Sequence, residues 1–305
     1  MYWIVTNFVD FSMHSGFIAV LVSLLFLFGC KGRDEQQEAA GGYDNARIVS
    51  LAPSLTETLF ALGLGDNVVG CSKFCKYPPQ VEKLPRVGGF IDTDFEAIVR
   101  LRPTCVVLTK TEADTAERLR KLNVPVLEVP ITTFDEIRDS FSFIGKALGR
   151  SEQAENVTRE FVDNLNGKNA ATEKRSAVII IWRDYGNGTV KDVQVASTSS
   201  IYGRLAEAAG LTLLPDSKVQ YPSLSPELLL RMQPDIIYEL LPDCKDIEAA
   251  KNDWKRTLPE LNAVKNGRIV VVTDDYAVLP GPRFTRLCQN FKAGVASQPR
   301  AGAEK

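Results

Sequence analysis

The sequence predicts an α/β protein with two lobes, each built on a parallel sheet. Short β-branched runs alternate with helical patterns in two separate series, one in residues 46–150 and the other in residues 174–296. Such alternation is typical of parallel strands covered by helices. The mostly polar stretch 151–173 has apolar residues four positions apart and is expected to form one helix that connects the lobes.

In the N-terminal lobe (46–150) we expect four strands and four helices in alternation. The β-branched runs that predict its strands are 48–51, 67–71, 105–109 and 125–129. The patterns that predict its helices lie near 54–63, 94–101, 112–122 and 133–148. For the C-terminal lobe (174–296), strands are expected at 177–182, 235–240 and 268–273. Its helices are expected near 200–209, 225–232, 246–254 and 283–295.

An internal repeat places one helix–strand unit in each lobe. Residues 96–108 align with residues 227–239, so that Glu96 corresponds to Glu227. In both copies a short helix starts near the glutamate, a proline ends it and a buried strand follows. A carboxylate near the start of a helix interacts favourably with the positive end of the helix dipole. This stabilisation alone is sufficient to explain a glutamate at both positions.

The amino terminus has the pattern of a bacterial lipoprotein signal. Residues 16–29 carry no charge; this run is shorter than the roughly twenty residues of a membrane span but suits a signal peptide. Leu27 to Cys30 resemble a lipobox, in which the cysteine is acylated. We expect residues 1–29 to be removed, Cys30 to be lipidated and residues 30–45 to form a flexible tether. A buried helix or a transmembrane anchor is the alternative.

The charge balance argues against nucleic-acid binding. Among 305 residues, 36 Lys and Arg face 38 Asp and Glu, a formal net charge of −2. This balance supplies no basic field for a polyanion.

The sequence offers two candidate start residues, Met1 and Met13. At the other end, residues 297–305 are expected to form a polar tail.

The histidine content argues against several kinds of catalysis. The chain contains one histidine, His14, which lies inside the predicted signal peptide. The mature protein would then have no imidazole as base, pH switch or metal ligand. Glycine-flanked serine elbows, Walker A loops, HExxH and CxxC pairs are also missing from the sequence. We therefore predict a protein that is not an enzyme and has no metal site; the adjacent pair Asp274 and Asp275 is the remaining carboxylate candidate.

The cysteines leave the disulfide pattern open. Five remain beyond Cys30, an odd number, so at least one would be unpaired in an oxidising compartment. Cys71 and Cys75 are near enough in sequence to pair across a loop. The other three are Cys105, Cys244 and Cys288.

Several of these motifs resemble those of one family. Residues 47–79, RIVSLAPSLTETLFALGLGDNVVGCSKFCKYPP, combine a strand, a Pro-Ser-x-Thr-Glu turn, a helix, a second strand and a Tyr-Pro-Pro loop. Together with the Glu96 and Glu227 units and Pro280-Gly-Pro-Arg283, this run is similar to substrate-binding proteins of ABC importers for cobalamin, iron-siderophore complexes and haem. The resemblance covers about residues 46–296 and is closest to the cobalamin branch.

The resemblance implies the class III periplasmic-binding-protein fold, with two Rossmann-like lobes joined by one long α-helix and a ligand cleft between them. It implies no resident cofactor, and as partners a permease dimer with its ATPase. Location in the bacterial cell envelope, outside the cytoplasm and anchored to the membrane by lipid, is also implied.

The resemblance also implies roles for individual residues. Glu96 and Glu227 occupy the positions that dock to permease arginines. Phe74, Phe90, Tyr221 and Tyr276 match loop aromatics that contact the ligand in the cobalamin branch, and Arg283 and Arg183 are cationic pocket candidates. The local pattern Ser54-x-x-Glu57 predicts a capping box at the first helix.

The ranking of ligands follows from these residues. Four loop aromatics suit a flat macrocycle with polar edges, so a corrinoid comes first. A ferric siderophore, which is anionic, would favour Arg183, Lys73 or Arg283. Haem would use a tyrosine such as Tyr221 or Tyr185 as axial ligand. A ligand sensor or scaffold with the same fold but without transport is the second alternative.

Overall fold

The computed structural model describes residues 45–166 and 174–296. The predicted signal peptide (1–29) with His14, the lipidation site Cys30, all but the last residue of the tether (30–45) and the polar tail (297–305) lie outside these residues. Across the described ranges, no helix has the length and apolar character needed to cross a membrane.

The N-terminal lobe is built on a parallel sheet, as predicted. In the described part of this lobe, four strands are arranged in the order β2-β1-β3-β4, and every pair is parallel. The register places Ile48 of the central strand opposite Val68 and Cys105. The strands are β1 (Ile48–Ser50), β2 (Val68–Cys71), β3 (Cys105–Thr109) and β4 (Val126–Val129).

Helices cover both faces of this sheet. Side chains of β1 alternate between the faces, with Ile48 packed in one cluster beside Leu59 and Val49 packed in the other beside Ile98. This alternation buries both faces, which explains why the strands read as continuous apolar runs. The helices are α1 (Pro53–Ala61), α2 (Phe95–Arg100), α3 (Ala113–Lys121) and α4 (Phe134–Ala147).

The predicted capping box at α1 is wrong. The helix starts at Pro53 with Ala52 as its N-cap, and no side chain caps it. Because proline at the first helical position is already fixed near helical φ, the helix begins two residues earlier than it would with Ser54 as its N-cap. The Glu57 carboxylate is thereby free to reach the other lobe. A capping box does occur at α4, between Thr133 and Glu136.

The C-terminal lobe has a mixed sheet, which corrects the parallel sheet predicted for it. Within the described residues its order is β10-β9-β5-β6-β8, with β7 beside the first half of β5. The pairs β5–β7, β5–β9 and β9–β10 are parallel, whereas β6 pairs antiparallel with both β5 and β8. The strands are β5 (Arg175–Trp182), β6 (Val193–Ala196), β7 (Leu211–Leu214), β8 (Ser223–Leu224), β9 (Ile236–Leu240) and β10 (Ile269–Val272).

Helices again cover both faces of this second sheet. Leu229 and Trp254 pack on one face, and Leu205 and Phe291 pack on the other. The final helix begins at Leu287, after a 3-10 turn, and therefore later than predicted. The helices of this lobe are α6 (Gly203–Ala208), α7 (Pro226–Met232), α8 (Ile247–Thr257), α9 (Asn262–Lys265) and α10 (Leu287–Ala296).

A helical hairpin connects the lobes. Its second helix, α5 (Ser151–Asp163), occupies the first part of the predicted connecting segment 151–173, of which residues 167–173 are not described. Phe161 of α5 contacts the rings of Phe134 and Phe141 in α4, with centroid distances of 5.4 and 5.1 Å. These three rings belong to the apolar cluster of the C-terminal lobe. The α4–α5 hairpin thus contributes to the core beyond the boundary expected at residue 150.

Candidate functional site

The residues predicted to bind ligand lie in loops at the carboxyl ends of strands. Phe74 follows β2 and Arg183 follows β5. Tyr221 follows β7, and Tyr276 and Arg283 follow β10. The sixth, Phe90, comes after Arg86, which forms an isolated parallel bridge with Cys71 at the end of β2. In parallel α/β sheets, ligands bind outside the carboxyl ends of the strands.

An ion pair brings these two carboxyl edges together. Arg283 donates from Nε and Nη2 to the two carboxylate oxygens of Glu57 in α1, at 2.9 and 2.5 Å. It also donates to both oxygens of Asp275, at 2.9 and 3.0 Å. The ring of Tyr77 lies 3.8 Å from the guanidinium carbon, which adds a cation–π contact. Arg283 therefore contacts both lobes at the base of the interface between them.

Burial and hydrogen bonding shift the pKa values of both Glu57 and Arg283. Burial raises the pKa of Glu57, and the hydrogen bond from Arg283 opposes that shift. For Arg283, burial acts to lower the pKa, but the hydrogen bonds to Glu57 and Asp275 more than compensate and raise it. The guanidinium is therefore charged at any physiological pH.

The lobes also approach each other at Gly281. A Cβ at this position would lie 3.2 Å from the backbone oxygen of Ser54 in the opposite lobe. The Pro-Gly-Pro-Arg segment thus packs directly on the first turn of α1. A second ion pair, Lys76 Nζ to Asp243 Oδ2 at 2.5 Å, joins the lobes at an exposed position.

A cavity of about 300 Å³ lies between α1, α5 and the Pro-Gly-Pro-Arg segment. A corrin ring with its substituents would not fit in a space at the lower end of the usual range for ligand pockets. A ligand of that size would have to contact the more open loops. The side chains around this cavity include Glu57, Phe60, Tyr77, Val157, Glu160 and Arg283.

The N-terminal lobe presents two exposed aromatic rings. Phe74 is 57% exposed and Phe90 is 61% exposed. Their loops are packed together, because a Cβ on Gly89 would lie 2.5 Å from the Phe74 ring. The ion pair between Lys73 Nζ and Asp92 Oδ2, at 2.6 Å, also joins the two loops.

The predicted aromatics of the C-terminal lobe are less exposed. Tyr221 is half-buried and packs against the apolar cluster of its own lobe. Tyr276 donates its hydroxyl hydrogen to Asn290 Oδ1 at 3.0 Å, and its ring lies 5.7 Å from the Arg283 guanidinium. The structure therefore groups Tyr276 with Arg283, while Tyr221 lies in a separate loop.

Two further exposed aromatics, which were not predicted to bind ligand, lie at the same edges. Trp182, at the carboxyl end of β5, is 60% exposed, and Tyr77 contacts Arg283. A signal for Trp182 was present, because an aromatic that ends a parallel strand faces the edge where ligands bind. Ile91 and Val219 are further exposed apolar residues in the loops after β2 and β7.

Arg183 is not available to a ligand. Its side chain is buried and forms ion pairs with Glu239 and with Asp253, the latter at 3.1 Å. Its Nη2 donates to the backbone oxygen of Ala250 at 3.0 Å. The residue follows β5 as expected, but its side chain turns into its own lobe, where carboxylates from β9 and α8 meet it. The assignment of Arg183 to the pocket is therefore corrected.

Asp253 extends this buried network to the loop that follows Arg183. Its carboxylate accepts hydrogen bonds from the backbone N–H groups of Gly186 and Gly188, at 2.6 and 2.8 Å. Glu239 accepts a hydrogen bond from Trp254 Nε1 at 2.9 Å, and burial raises the pKa of Glu239. The network thus fixes the loop between exposed Trp182 and β6.

Glu96 and Glu227 occupy equivalent, exposed positions. Each is the second residue of a short helix, α2 or α7. In both cases the residue two positions before the glutamate caps the helix. The Asp94 side chain accepts a hydrogen bond from the Ala97 N–H, and the Ser225 side chain accepts one from the Leu228 N–H. The hydrogen bond with the Ser225 side chain lowers the pKa of Glu227. Both carboxylates are thus presented to solvent.

An open groove of about 950 Å³ borders Glu96. The Arg118 guanidinium lies over the Phe95 ring, with 3.9 Å between the guanidinium carbon and the ring centroid. Apolar surface and basic side chains thus adjoin the exposed carboxylate, a composition that suits a protein partner. The groove is lined by Phe95, Val99 and Leu122 and by the basic residues Arg100, Arg118 and Lys121.

No group of three or more His, Cys, Asp or Glu side chains that could hold a metal ion occurs in residues 45–166 and 174–296. The carboxylates at the lobe interface, Glu57 and Asp275, are both paired with Arg283. What the described loops offer a ligand is aromatic surface and backbone polar groups.

We expect the two interlobe ion pairs, Glu57–Arg283 and Lys76–Asp243, to contribute differently to stability. Replacing Glu57 with glutamine is expected to lower the free energy of unfolding by about 1–3 kcal/mol, because a buried charged hydrogen bond is lost. The matched substitution Asp243→Asn removes an exposed pair and should cost less than about 1 kcal/mol. Urea denaturation of the two variants measures both values. Equal losses in the two variants would contradict the role assigned to Glu57.

Two α/β lobes with facing carboxyl edges and exposed loop aromatics define a ligand-binding protein with an interlobe cleft. The chain belongs to the periplasmic binding protein family, whose model matches residues 48–276. It is thus a substrate-binding protein of the ABC-importer type, and family membership implies a location outside the cytoplasm.

Relatives of known name support the same class. A vitamin B12-binding protein of Vibrio cholerae is 26% identical over 239 residues, which cover 78% of this chain and 84% of the relative. An uncharacterized ABC transporter substrate-binding lipoprotein, YvrC of Bacillus subtilis, is 26% identical over 249 residues, 78% of this chain and 76% of the relative.

Solved structures share the fold. A possible iron-binding, periplasmic solute-binding protein from Staphylococcus epidermidis superimposes with a TM-score of 0.71 at 24% identity, covering 82% of this chain and 98% of that one. The periplasmic haem-binding protein RhuT from Roseiflexus, in its apo form, gives a TM-score of 0.70 at 25% identity, covering 82% of this chain and 99% of that one. These similarities confirm the predicted two-lobed fold.

Proposed function

We propose that this protein captures a corrinoid between its lobes and delivers it to a membrane permease. The observation that carries this proposal is that cationic side chains at the two facing edges are already paired with carboxylates of the protein. Lys73, Lys76 and Arg283 each form an ion pair with a carboxylate, while Phe74 and Phe90 are exposed. A flat macrocycle with neutral amide edges matches such a surface better than an anionic ligand does.

The pairing of cations argues against a ferric siderophore. An anionic complex needs cationic groups with unused hydrogen-bonding capacity. Of the three candidates, Arg183 is buried with Glu239 and Asp253, and the other two, Lys73 and Arg283, have carboxylate partners. A siderophore would have to displace those carboxylates. We therefore place it second, as the same transport role with a different ligand.

Tyr221 and Tyr185, the two candidate axial ligands of haem iron, are not favoured as phenolates. Burial raises the pKa of Tyr221. The nearby Cys244 raises the pKa of Tyr185, which is exposed. Because a coordinating tyrosine must lose its proton, both shifts oppose axial ligation. Haem therefore ranks behind a corrinoid, although a structural relative binds it.

We propose Glu96 and Glu227 as the permease-docking residues. Both carboxylates are exposed near the start of equivalent helices, one on each lobe. Arginine–carboxylate pairs are directional, so two such contacts on one body would set its orientation on a dimeric permease. The groove beside Glu96 would add apolar contact on the N-terminal lobe. A sensor or scaffold without transport would not require these contacts.

We propose that Cys30 carries the lipid anchor. The short apolar run before it and the polar tether after it support this assignment, and a relative from Bacillus subtilis is named a lipoprotein. Metabolic labelling with a radioactive fatty acid should modify the exported protein, and Cys30→Ser should abolish the label. Equal labelling of the variant would contradict the assignment.

Calorimetric titration tests the ligand directly. The soluble form, residues 31–305, should bind cyanocobalamin or cobinamide in preference to haemin or a panel of ferric siderophores. Phe74→Ala with Phe90→Ala should weaken binding about tenfold or more, because each ring loses stacking worth about 1 kcal/mol. Phe143→Ala is the matched control, an exposed ring on α4. Tight binding of a siderophore alone, or an equal loss in the control, would overturn the corrinoid proposal.

A further inference from the structure

Two cysteines meet at the end of β2, beneath the loop that carries Phe74. Cys71 is the last residue of the strand, and Cys75 follows four positions later. Both are buried, whereas Lys73, Phe74, Lys76 and Tyr77 between and beyond them are exposed. Along the described chain, all five cysteines are free thiols in this structure.

The backbone brings the two cysteines to the same side of the loop. The Cys75 N–H donates to the Ser72 oxygen at 3.1 Å, which closes a turn over residues 72–75. Both cysteines then pack with Val81 in one small apolar cluster. The thiols are therefore neighbours in space as well as in sequence.

Two polar side chains hold the cysteines in this arrangement. Arg86 Nη1 donates to the Cys71 sulfur at 3.0 Å, to the Ser72 oxygen at 3.1 Å and to the Cys75 oxygen at 2.9 Å. Thr56 Oγ1 lies 3.2 Å from the Cys75 sulfur. A guanidinium beside a thiol stabilises the thiolate, the form that attacks a disulfide.

The pKa of Cys71 is shifted in the opposite direction from those of Cys75, Cys105 and Cys288. The hydrogen bond with Cys75, assisted by Arg86, lowers the pKa of Cys71 to about 7. The same hydrogen bond raises the pKa of Cys75. Burial instead raises the pKa of Cys105 to about 11 and also that of Cys288. Cys71 is thus the better nucleophile of the pair, with Cys75 placed to act second.

We propose that Cys71 and Cys75 are a redox-active dithiol that closes to a disulfide by exchange with an external disulfide. Opening of the exposed loop admits the reagent. The Cys71 thiolate attacks one sulfur of the external disulfide, whose bond breaks and releases one thiol. Cys75 then loses its proton and attacks the Cys71 sulfur, which releases the second thiol. Two electrons and two protons pass to the reagent, which ends as two thiols.

A disulfide between Cys71 and Cys75 would stiffen the loop at the ligand-binding edge. The new bond joins residues on both sides of Phe74, so the exposed ring would be held on a five-residue covalent loop. A location outside the cytoplasm, which family membership implies, is the environment in which such bonds persist. The disulfide itself does not depend on which ligand is bound.

Trypsin provides a sharp test, because it cleaves after Lys73, between the two cysteines. The folded protein is incubated with oxidised glutathione, quenched with acid and an alkylating reagent, and digested. We expect peptides 48–73 and 74–76 to be recovered as one linked species that dithiothreitol separates. Recovery of both peptides singly with alkylated cysteines, or linkage only after prior unfolding, would overturn the proposal.

Single variants test the order of events. Cys75→Ser should accumulate a mixed disulfide with glutathione on Cys71, whereas Cys71→Ser should form several-fold less on Cys75. Cys105→Ser is the matched control and should retain the linked peptides. If a variant fails to fold, the wild-type digest still decides. Linked peptides from the wild type and an unchanged Cys105→Ser support the dithiol; loss of linkage in Cys105→Ser contradicts it.

Discussion

Replacing both Glu96 and Glu227 with glutamine is expected to abolish ligand uptake while leaving ligand affinity unchanged. Each carboxylate is exposed on the second residue of a short helix and does not belong to the loops that carry the aromatics. Losing one partner of a desolvated ion pair costs about 2–5 kcal/mol in binding. Two such losses correspond to a decrease of more than a hundredfold in affinity for the permease.

The measurement is ligand uptake by cells that carry the variant as their only copy, together with titration of the purified variant. Glu152→Gln with Glu155→Gln is the matched control, because both carboxylates are exposed on α5. The control should transport normally. Normal uptake by the Glu96 and Glu227 variant would contradict the docking assignment, and normal uptake by cells that lack the protein altogether would favour the sensor or scaffold over the importer role.

Replacing Asp253 with alanine is expected to lower the free energy of unfolding by at least about 3 kcal/mol. The substitution leaves the buried Arg183 guanidinium with one carboxylate, Glu239, and removes the acceptor for the N–H groups of Gly186 and Gly188. Removing one member of a buried ion pair typically costs 3–5 kcal/mol, because the remaining charge is poorly compensated. Chemical denaturation measures the loss.

A control on the same helix separates this effect from loss of helical capping. Asp246 caps α8 by accepting a hydrogen bond from the Ala249 N–H at 2.8 Å, and it is exposed. Asp246→Ala should therefore cost only about 1 kcal/mol. Hydrogen exchange should also quicken at residues 184–190 in Asp253→Ala but not in the control. Comparable losses in the two variants would show that the network does not support the loop.

Local patterns were enough to predict much of the fold. The parallel strands of the N-terminal lobe are continuous β-branched runs because both faces of their sheet are covered. The repeat that pairs Glu96 with Glu227 predicted α2 and α7, which the structure confirms at equivalent positions. Strands β6, β7 and β8 were missed, since they are only four, four and two residues long, and β6 and β8 also depart from the parallel alternation by pairing antiparallel.

Contacts between residues distant in sequence determine whether each arginine is buried in its own lobe or lies at the cleft. Arg183 and Arg283 both lie in segments that follow a strand of the same sheet, so local sequence assigns them alike. The partners of Arg183, Glu239 and Asp253, lie 56 and 70 positions away in its own lobe. Those of Arg283 include Glu57, which is 226 positions away in the other lobe. Only the folded chain distinguishes a buried support from a residue at the cleft.

The α4–α5 hairpin makes the two lobes poor candidates for modular exchange. Phe134, Ile137 and Phe141 precede residue 150 in the chain, yet they pack in the core of the C-terminal lobe. A chimera joined at residue 150 would set these side chains against a foreign surface, at a cost of about 2–5 kcal/mol for each one that loses its packing. A junction before Thr133 would preserve this packing, but it would separate buried Ile144 and Leu148 of the same hairpin from the core of the N-terminal lobe. Recombination of specificity between relatives should therefore exchange loops within a lobe and leave the hairpin together with both of the cores that it completes.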